Sequence, residues 1–273
     1  MYKLLALDLD GTVLKSDHTI SPVLIEKIQQ LSQKIPVVIV TGRHHTAARP
    51  YYLQLGLKTP IICCNGTYIY DYQNETVLQH NAISKEKAKQ FVTLVEQHDM
   101  KAVMYVKEAM LHSVQRPLNY VNALSLWADS FPDDIKPCIK TVDSFHEEIV
   151  NNEYIWKFVV EGGQVDHFLE LPFVKNNFSA EPSWIDRVDI SNVGNTKGAA
   201  LDKYLAKEGL SFRQVVAVGD NHNDISMLQK AGMGVAMLNA DNVVQAQADL
   251  VTSATNDDDY VLAGIIDKFF YGA

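Results

Sequence analysis

The stretch that decides the fold is LLALDLDGT, residues 4–12 of a chain of 273 residues. Its first four residues form a continuous apolar run, without the polar alternation of a strand that has one face in water. Such a run is typical of a strand covered on both faces in a parallel sheet. Two acidic residues and a glycine follow directly, so the predicted strand ends where residues that can do chemistry begin.

The same kind of apolar run recurs along the chain, separated by segments with helical patterns. The other runs lie at residues 37–40, 61–64 and 215–218, with weaker ones at 234–237 and 249–251. Helices are predicted from Ser21-Pro22 onward, over residues 196–205 and over residues 224–231. Ser21 suits an N-cap and Pro22 the first helical position. Strands alternating with helices predict the α/β class, as a Rossmann-like, doubly wound parallel sheet.

The middle of the chain breaks this alternation. A hairpin is predicted over residues 67–79, and after it come further segments with their own helical and strand patterns. These segments are a helix at 85–98, strands at 102–106, 110–114 and 154–160, and a helix at 163–171. We therefore predict an α+β cap domain, residues 84–186, inserted into a catalytic core of residues 1–83 and 187–273. The core is expected to resume with a strand at 188–191.

Composition and charge exclude several classes of function. The formal net charge is -9 and no basic cluster is visible, which argues against binding to nucleic acid or to an anionic membrane. No apolar stretch approaches the roughly 18 residues of a membrane helix. The three cysteines are an odd number without metal-type spacing, as expected of reduced residues in a cytoplasmic protein.

Polar residues stand at equivalent ends of three predicted strands. Asp8 and Asp10 follow the first strand, Thr41 follows the second, and Asp220 follows the strand at 215–218. Ligands of open α/β sheets bind at the carboxyl ends of the strands, so these side chains are expected to converge. Lys197 lies at the start of a predicted helix, where free backbone N–H groups favour an anion.

This set of residues suits phosphoryl transfer, which depends mainly on positioning and charge neutralisation. Asp8 and Asp220 offer the hard oxygen ligands that Mg²⁺ prefers. Thr41 can donate a hydrogen bond to a phosphate oxygen, and Lys197 supplies a positive charge. Asp8 can act as the nucleophile, and Asp10 is placed to protonate the leaving group and later to deprotonate water.

Four motifs in this order resemble those of the haloacid dehalogenase superfamily, and of its Cof-type hydrolases in particular. The motifs are Asp8-Leu9-Asp10-Gly11-Thr12, Thr41-Gly42-Arg43, Lys197-Gly198 and Gly219-Asp220-Asn221-His222-Asn223-Asp224. The insertion falls between the second and third motifs, a position similar to that of the sheet-based type II cap. Asn65-Gly66 after the third strand and residues 256–259 also look Cof-like.

The resemblance implies a mobile cap on a Rossmann-like core and a role for each matching residue. Asp8 is the implied nucleophile and Asp10 the implied acid/base. Mg²⁺ would be held by Asp8, by the main-chain carbonyl of Asp10 and by Asp220. The implied phosphate- or substrate-binding residues are Leu9, Thr41, Gly42, Lys197 and Asn223.

Four further residues have roles that the sequence leaves open. Asp224 would either lie in the outer shell of the metal or hold Lys197 in place, or it only caps the helix that follows. Arg43 is placed in a supporting role. Arg43, His44 and His45 suit substrate binding at the mouth of the site, or equally an exposed helix start.

The resulting hypothesis is a Mg²⁺-dependent phosphatase that acts on small phosphorylated metabolites through a phospho-aspartate. Sugar phosphates are the favoured substrates, and pyridoxal phosphate or flavin mononucleotide are further possibilities. A phosphomutase with the same chemistry is the first alternative. A receiver-type signalling module is the second, although such modules lack both the long insertion and an acid/base at the position of Asp10. No sequence pattern indicates a particular oligomeric state.

Overall fold

The computed structural model describes residues 2–119, 121–184 and 187–272. The strands are β1 (Leu4–Leu7), β2 (Val37–Ile39), β3 (Ile61–Cys63), β4 (Tyr68–Asp71), β5 (Thr76–His80), β6 (Lys101–Val106), β7 (Met110–Ser113), β8 (Ile139–Val142), β9 (Ile155–Glu161), β10 (Phe178–Trp184), β11 (Arg187–Asn192), β12 (Val215–Gly219), β13 (Met233–Ala236) and β14 (Leu250–Val251). The helices are α1 (Pro22–Ser32), α2 (His45–Gln54), α3 (Lys85–Gln97), α4 (Val121–Ala128), α5 (Phe145–Asn151), α6 (Val165–Leu169), α7 (Pro172–Asn177), α8 (Lys197–Lys207), α9 (Ile225–Leu228), α10 (Asn242–Gln245) and α11 (Val261–Ile266).

The chain forms two compact units, which we call the first and second unit. The first unit contains Met1–Arg43, Tyr51–Gln79 and Thr196–Ala273. The second unit contains His44–Pro50 and His80–Asn195. Within the described residues, no helix combines the length and apolarity that a membrane span requires.

The first unit is built on a five-stranded sheet in the order β14-β13-β12-β1-β2. All four strand pairs are parallel, so the predicted α/β class with a parallel sheet is confirmed. β1 lies between β12 and β2, and all of its residues are buried, as the continuous apolar run predicts. Because β12, β1 and β2 run in the same direction, the residues that follow them emerge at one edge of the sheet.

A smaller antiparallel sheet, β3-β4-β5, completes the strands of the first unit and contains the predicted hairpin. β3 continues the direction of the main sheet through a parallel bridge between Val40 and Ile62. The predicted strand at 61–64 ends at Cys63, because Cys64 and Asn65 adopt positive φ angles of 49° and 54°. The chain therefore turns sharply where β3 meets the edge of the main sheet.

Two helix starts differ from the prediction in their hydrogen bonds. Ser21 precedes α1 as expected, but its hydroxyl donates to the carbonyl of Asp259 (3.0 Å) and does not cap the helix. The predicted helix at 224–231 is shorter, because residues His222–Asp224 form a 3₁₀ turn and α9 begins at Ile225. Thr196, in contrast, caps α8 by accepting from the N–H of Ala199.

The second unit contains a six-stranded sheet in the order β10-β11-β9-β6-β7-β8. Its strand pairs are antiparallel except for β7 and β8, which are parallel. Buried residues of α3, α5, α6 and α7 form an apolar core with one face of this sheet. Phe91 lies in this core, with its ring centroid 4.6 Å from Phe158, 5.0 Å from Phe178 and 5.6 Å from Phe168.

The division between the units differs from the predicted insertion of residues 84–186, since the second unit also contains His44–Pro50, begins at His80 and ends later than predicted. The strand predicted at 188–191 exists as β11, but β11 pairs with β9 and β10 in the six-stranded sheet. Its apolar residues Val188 and Ile190 face the core of the second unit. The second unit therefore extends to Asn195, and the first unit resumes at Thr196. The predicted boundary residue, Asp186, lies outside the described residues.

Several elements of the second unit were not predicted from the sequence. They are α4, β8, α5, α7 and β10. The helix predicted at 163–171 is present only over Val165–Leu169, as α6, and a separate helix, α7, begins at Pro172. Short elements with few residues give weak periodic patterns, which explains why these were missed.

Candidate active site

The candidate site lies in the first unit, where the predicted residues follow β1, β2 and β12. Asp8 continues the line of β1, and its N–H donates to the carbonyl of Val218 in β12 (3.0 Å). The N–H of Thr41, beyond β2, donates to the carbonyl of Ile62 (2.9 Å). Both residues are buried. Main-chain hydrogen bonds to neighbouring strands therefore fix the positions of these two residues.

Lys197 connects the start of α8 with two of the strand ends. Its ammonium donates to Asp8 Oδ1 (2.6 Å) and to Asp224 Oδ1 (2.7 Å), and the side chain is fully buried. Burial by itself lowers the pKa of Lys197, but the charges of Asp224 and Asp8 outweigh it and raise the pKa above its ordinary value. The lysine is therefore a permanent positive charge inside the site.

Asp224 holds Lys197 on one side and the chain beyond β12 on the other. Its Oδ2 accepts from the N–H groups of Asp220 and Asn221, both at 3.0 Å. The Asp224 side chain makes no capping hydrogen bond to α9. Of the predicted roles, Asp224 therefore holds Lys197 in place and does not serve as the cap of α9. Gly219 makes this arrangement possible, because a Cβ there would lie 2.4 Å from Asp224 Cγ.

Asp220 is oriented by two residues that sequence reasoning did not assign to the site. Thr12 Oγ1 donates to Asp220 Oδ1 (3.0 Å). Asn239 Nδ2 donates to the carbonyl of Gly11 (2.8 Å) and lies 3.5 Å from Asp220 Oδ2. Gly11 has a φ of 75°, and a Cβ there would lie 2.2 Å from Asp220 Oδ2. Asn239 lies just beyond β13, so the rule of polar residues at strand ends could have found it.

Asp8, Asp220 and Asp224 form an acidic cluster whose carboxylate oxygens lie within 4.8 Å of one another. Burial raises the pKa of Asp8 well above its usual range, although Lys197 opposes this. Burial and the charge of Asp224 raise the pKa of Asp220 to about 7. When all three carboxyl groups are ionised, the single ammonium of Lys197 leaves two negative charges without compensation, which is why protons are held there in the absence of a cation. The donor set therefore fits a divalent cation that prefers oxygen, such as Mg²⁺.

Asp10 lies apart from the acidic cluster and is paired with Arg43. Arg43 donates from Nε to Asp10 Oδ2 (2.7 Å) and from Nη2 to Asp10 Oδ1 (2.6 Å). The guanidinium also lies 5.0 Å from the ring centroid of Tyr51. Partial burial raises the pKa of Asp10, but the charge and hydrogen bonds of Arg43 prevail and lower it. Asp10 is 47% exposed, so this carboxylate is both ionised and accessible.

The remaining predicted phosphate-binding residues surround the loop after β2. Thr41 Oγ1 accepts from the N–H of Arg43 (3.1 Å), and Gly42 lies against the side chain of Asn65. Asn223 Nδ2 donates to Asn65 Oδ1 (3.1 Å). Leu9 is buried, and its carbonyl accepts from the N–H groups that close the turn after β1. The N–H of Asn65 donates to the carbonyl of Thr41 (3.1 Å), so Thr41, Gly42 and Asn223 all contact Asn65.

His44 and His45 do not form an exposed helix start. Both are buried and belong to the second unit. His44 Nε2 donates to the carbonyl of Val106 (2.7 Å), and its Nδ1 accepts from the N–H of Thr46 (3.2 Å). Burial lowers the pKa of His44 to about 4 and that of His45 to about 2, so both rings are neutral at pH 7.

Comparison with known proteins decides the family. The profile of the haloacid dehalogenase-like hydrolases matches residues 5–265. The chain belongs to this family. The family predicted from the four motifs is thereby confirmed.

Two relatives of this chain are named phosphatases. The pyridoxal phosphate phosphatase YbhA of Escherichia coli is 40% identical over 260 residues, which cover 94% of this chain and 95% of the relative. The 5-amino-6-(5-phospho-D-ribitylamino)uracil phosphatase YitU of Bacillus subtilis is 28% identical and covers 98% of this chain and 97% of its own. This haloacid dehalogenase-like hydrolase is therefore a phosphatase.

Solved structures of the family share the fold. A haloacid dehalogenase-like hydrolase from Bacteroides thetaiotaomicron superimposes with a TM-score of 0.86 at 25% identity, covering 99% of this chain and 100% of that one. A sugar phosphatase of subclass IIB superimposes with a TM-score of 0.80 at 24% identity, covering 98% of both chains. At this level of identity, the second likeness concerns the fold alone.

We predict that Mg²⁺ stabilises the wild-type protein against heat and fails to stabilise the Asp220→Asn variant. Protons compete with the cation for Asp220, so the rise in Tm caused by Mg²⁺ should grow from about pH 6 to about pH 8. Each 1 kcal/mol of stabilisation corresponds to roughly 2–4 °C in Tm. Differential scanning fluorimetry with and without Mg²⁺ measures this directly.

The same experiment in chelator tests the pKa of Asp220. The pKa of Asp220 is higher in the folded protein than in the unfolded chain, so the folded state binds the proton more tightly. The free energy of unfolding should therefore decrease, and the wild-type Tm should fall, as the pH rises from about 4 to about 7. Asp220→Asn should weaken this dependence. Asp202→Asn, an exposed carboxylate on α8, is the matched control and should behave like the wild type. In the experiment with Mg²⁺, a rise in Tm of Asp220→Asn equal to that of the wild type would exclude Asp220 as a ligand.

Proposed function

We propose that this phosphatase hydrolyses small phosphate monoesters with Mg²⁺ and a covalent phospho-aspartate at Asp8. The observation that carries the proposal is the buried Asp8 carboxylate, which Lys197 fixes through Oδ1 and which forms the acidic cluster with Asp220 and Asp224. A nucleophile must be held in one orientation and must meet a phosphate whose charge is neutralised. Asp8 meets both requirements: Lys197 holds its carboxylate in one orientation, and the lysine together with a cation at the acidic cluster would neutralise the phosphate.

In the first half-reaction, Asp8 Oδ2, the oxygen not held by Lys197, attacks phosphorus. The bond from phosphorus to Asp8 forms as the bond to the leaving oxygen breaks, and Asp10 donates a proton to that oxygen. Lys197 keeps Asp8 oriented and balances negative charge on the transferring group. Thr41, Gly42, Leu9 and Asn223 are assigned to phosphate binding, as the family resemblance implies.

In the second half-reaction, Asp10 takes a proton from water, and the water oxygen attacks phosphorus. The bond between phosphorus and Asp8 breaks, which releases inorganic phosphate and restores the carboxylate. Asp10 is suited to this step because Arg43 keeps it ionised. The first step needs Asp10 in its protonated form, so the pair with Arg43 must loosen when substrate binds.

Mg²⁺ would be held by Asp8, Asp220 and the main-chain carbonyl of Asp10, with Asp224 behind them. When bound, it supplies charge neutralisation between the carboxylate nucleophile and the phosphate. Thr12 and Asn239 would keep Asp220 in position for this role. We also propose that the second unit acts as the cap domain that the resemblance implies.

Pyridoxal phosphate is the first substrate that we propose. The support is the relative of 40% identity along nearly the whole chain, whose name specifies that substrate. Sugar phosphates, favoured from the sequence, remain the second class. Both are small monoesters with a single phosphate, so the chemistry described for Asp8 and Asp10 serves either one.

Asp8→Asn is expected to abolish phosphate release, with a loss of at least about 10³-fold in kcat. Asparagine keeps an oxygen that can accept from Lys197, so folding should be preserved, but it is no nucleophile. Phosphate release from pyridoxal phosphate, hexose phosphates and p-nitrophenyl phosphate measures this. Asp17→Asn, an exposed residue, is the matched control. Turnover retained in Asp8→Asn would exclude Asp8 as the nucleophile.

The alternative activity is tested on the wild-type protein. Interconversion of hexose phosphates without release of phosphate would indicate a phosphomutase.

Asp10→Asn should slow poor leaving groups more than good ones. Without a proton donor, kcat/KM for alkyl phosphates is expected to fall about 10²–10⁴-fold, whereas p-nitrophenyl phosphate should lose less because its phenolate leaves unaided. The ratio of kcat/KM for the two substrates is the readout. Asp133→Asn, 97% exposed in the second unit, is the control. Equal losses for both substrates would contradict the role of Asp10 as the acid.

A further inference from the structure

The turn that follows β3, residues Cys64–Gly66, has an unusual backbone for a non-glycine residue. Asn65 lies in the left-handed region, with a φ of 54° and a ψ of 36°, and it is almost fully buried. Asparagine tolerates this conformation better than most residues, but glycine tolerates it without cost. The backbone conformation alone therefore does not account for an asparagine at this buried position, and its side-chain amide is the group that distinguishes it from glycine.

The turn is attached to the loop after β2 by its main chain. The N–H of Asn65 donates to the carbonyl of Thr41 (3.1 Å), and the N–H of Cys64 donates to the carbonyl of Arg43 (3.0 Å). Asn65 Oδ1 also lies against Gly42, where a Cβ would approach it to 2.9 Å. The turn thus supports the segment that carries Thr41 and Gly42.

The Asn65 side chain also reaches the loop after β12. Its Oδ1 accepts from Asn223 Nδ2 (3.1 Å). Asn223 Oδ1 is buried, and within the described residues no donor contacts it. In the described part of the chain, Asn65 is therefore the side chain that fixes the Asn223 amide. The Asn223 nitrogen carries two hydrogens, of which Asn65 takes one, so the other can be donated to a phosphate oxygen.

The next residue of the turn approaches the helix that carries Lys197. Gly66 has a φ of 88°, and a Cβ there would lie 2.2 Å from the carbonyl oxygen of Thr196. Thr196 is the N-cap of α8, directly before Lys197. The turn after β3 therefore contacts the elements that carry Thr41, Asn223 and Lys197, although it contributes no charged group itself.

We infer that Asn65 is a positioning residue for phosphate binding: its side chain orients the Asn223 amide, and its main chain, which glycine would keep, supports the Thr41-Gly42 segment. The inference rests on the proposed function, in which these residues bind phosphate. It goes beyond that function because it assigns a role to an amide that need not touch the substrate. Removal of the Asn65 amide should then weaken the binding of inorganic phosphate without unfolding the turn.

Asn65→Gly separates the amide from the backbone conformation, because glycine adopts the left-handed turn without strain. The inhibition constant of inorganic phosphate, measured with Mg²⁺ against p-nitrophenyl phosphate, is expected to rise about tenfold, as for loss of an oriented hydrogen bond. Glu75→Gly is the matched control. Glu75 also has a positive φ, of 51°, but it lies in the exposed turn between β4 and β5. This control should leave the inhibition constant unchanged.

A double-mutant cycle tests whether Asn65 acts through Asn223. Asn223→Ala alone and Asn65→Gly combined with Asn223→Ala should have the same inhibition constant, because the second change removes what Asn65 orients. Additive effects, or a wild-type inhibition constant in Asn65→Gly, would overturn the inference. Failure of phosphate to inhibit the wild-type protein would instead count against the proposed function.

A crystal structure of the wild-type protein with Mg²⁺ and inorganic phosphate gives a second test that depends on no variant. Asn223 Nδ2 is expected to donate to Asn65 Oδ1 and to a phosphate oxygen together. An Asn223 side chain that contacts phosphate after leaving Asn65 would overturn the inference.

Discussion

The first unit depends on one buried ammonium group. Lys197 is excluded from solvent, and its charge is tolerated because Asp8 and Asp224 both accept from it. Loss of one partner of a buried ion pair typically costs about 3–5 kcal/mol, since an uncompensated charge is left behind. This interaction joins the start of α8 to the ends of β1 and β12. It therefore fixes the geometry of the site and of the surrounding fold together.

The same charge arrangement separates two carboxylates that lie two residues apart in the sequence. Asp8 is buried with other carboxylates, which raises its pKa, whereas Asp10 is half-exposed and paired with Arg43, which lowers its pKa. Different environments allow neighbouring acids to take different roles in one reaction. The uncompensated charge of the acidic cluster also explains why the site suits a divalent cation.

Much of the first unit could be predicted from sequence, because continuous apolar runs mark buried parallel strands and polar residues mark their ends. The sequence prediction assigns the strand β11 to the core from its place in the chain, although its alternating polar and apolar residues differ from the continuous apolar runs of the parallel strands. The burial of His44 and His45 depends on contacts with residues distant in sequence, such as Val106. The role of Asn65 depends on side-chain hydrogen bonds that no local pattern encodes. Thr12, in contrast, lies inside the motif that identified Asp8.

The measurement that tests the central claim most directly is the detection of the covalent intermediate. The Asp10→Asn variant, whose second half-reaction should be slow, would be mixed with Mg²⁺ and p-nitrophenyl phosphate, quenched in acid and examined by peptide mass spectrometry. We predict one phosphoryl group on the peptide that contains Asp8, located on the Asp8 side chain. A phosphoryl group on another residue, or a burst of p-nitrophenol with no labelled peptide, would contradict the account.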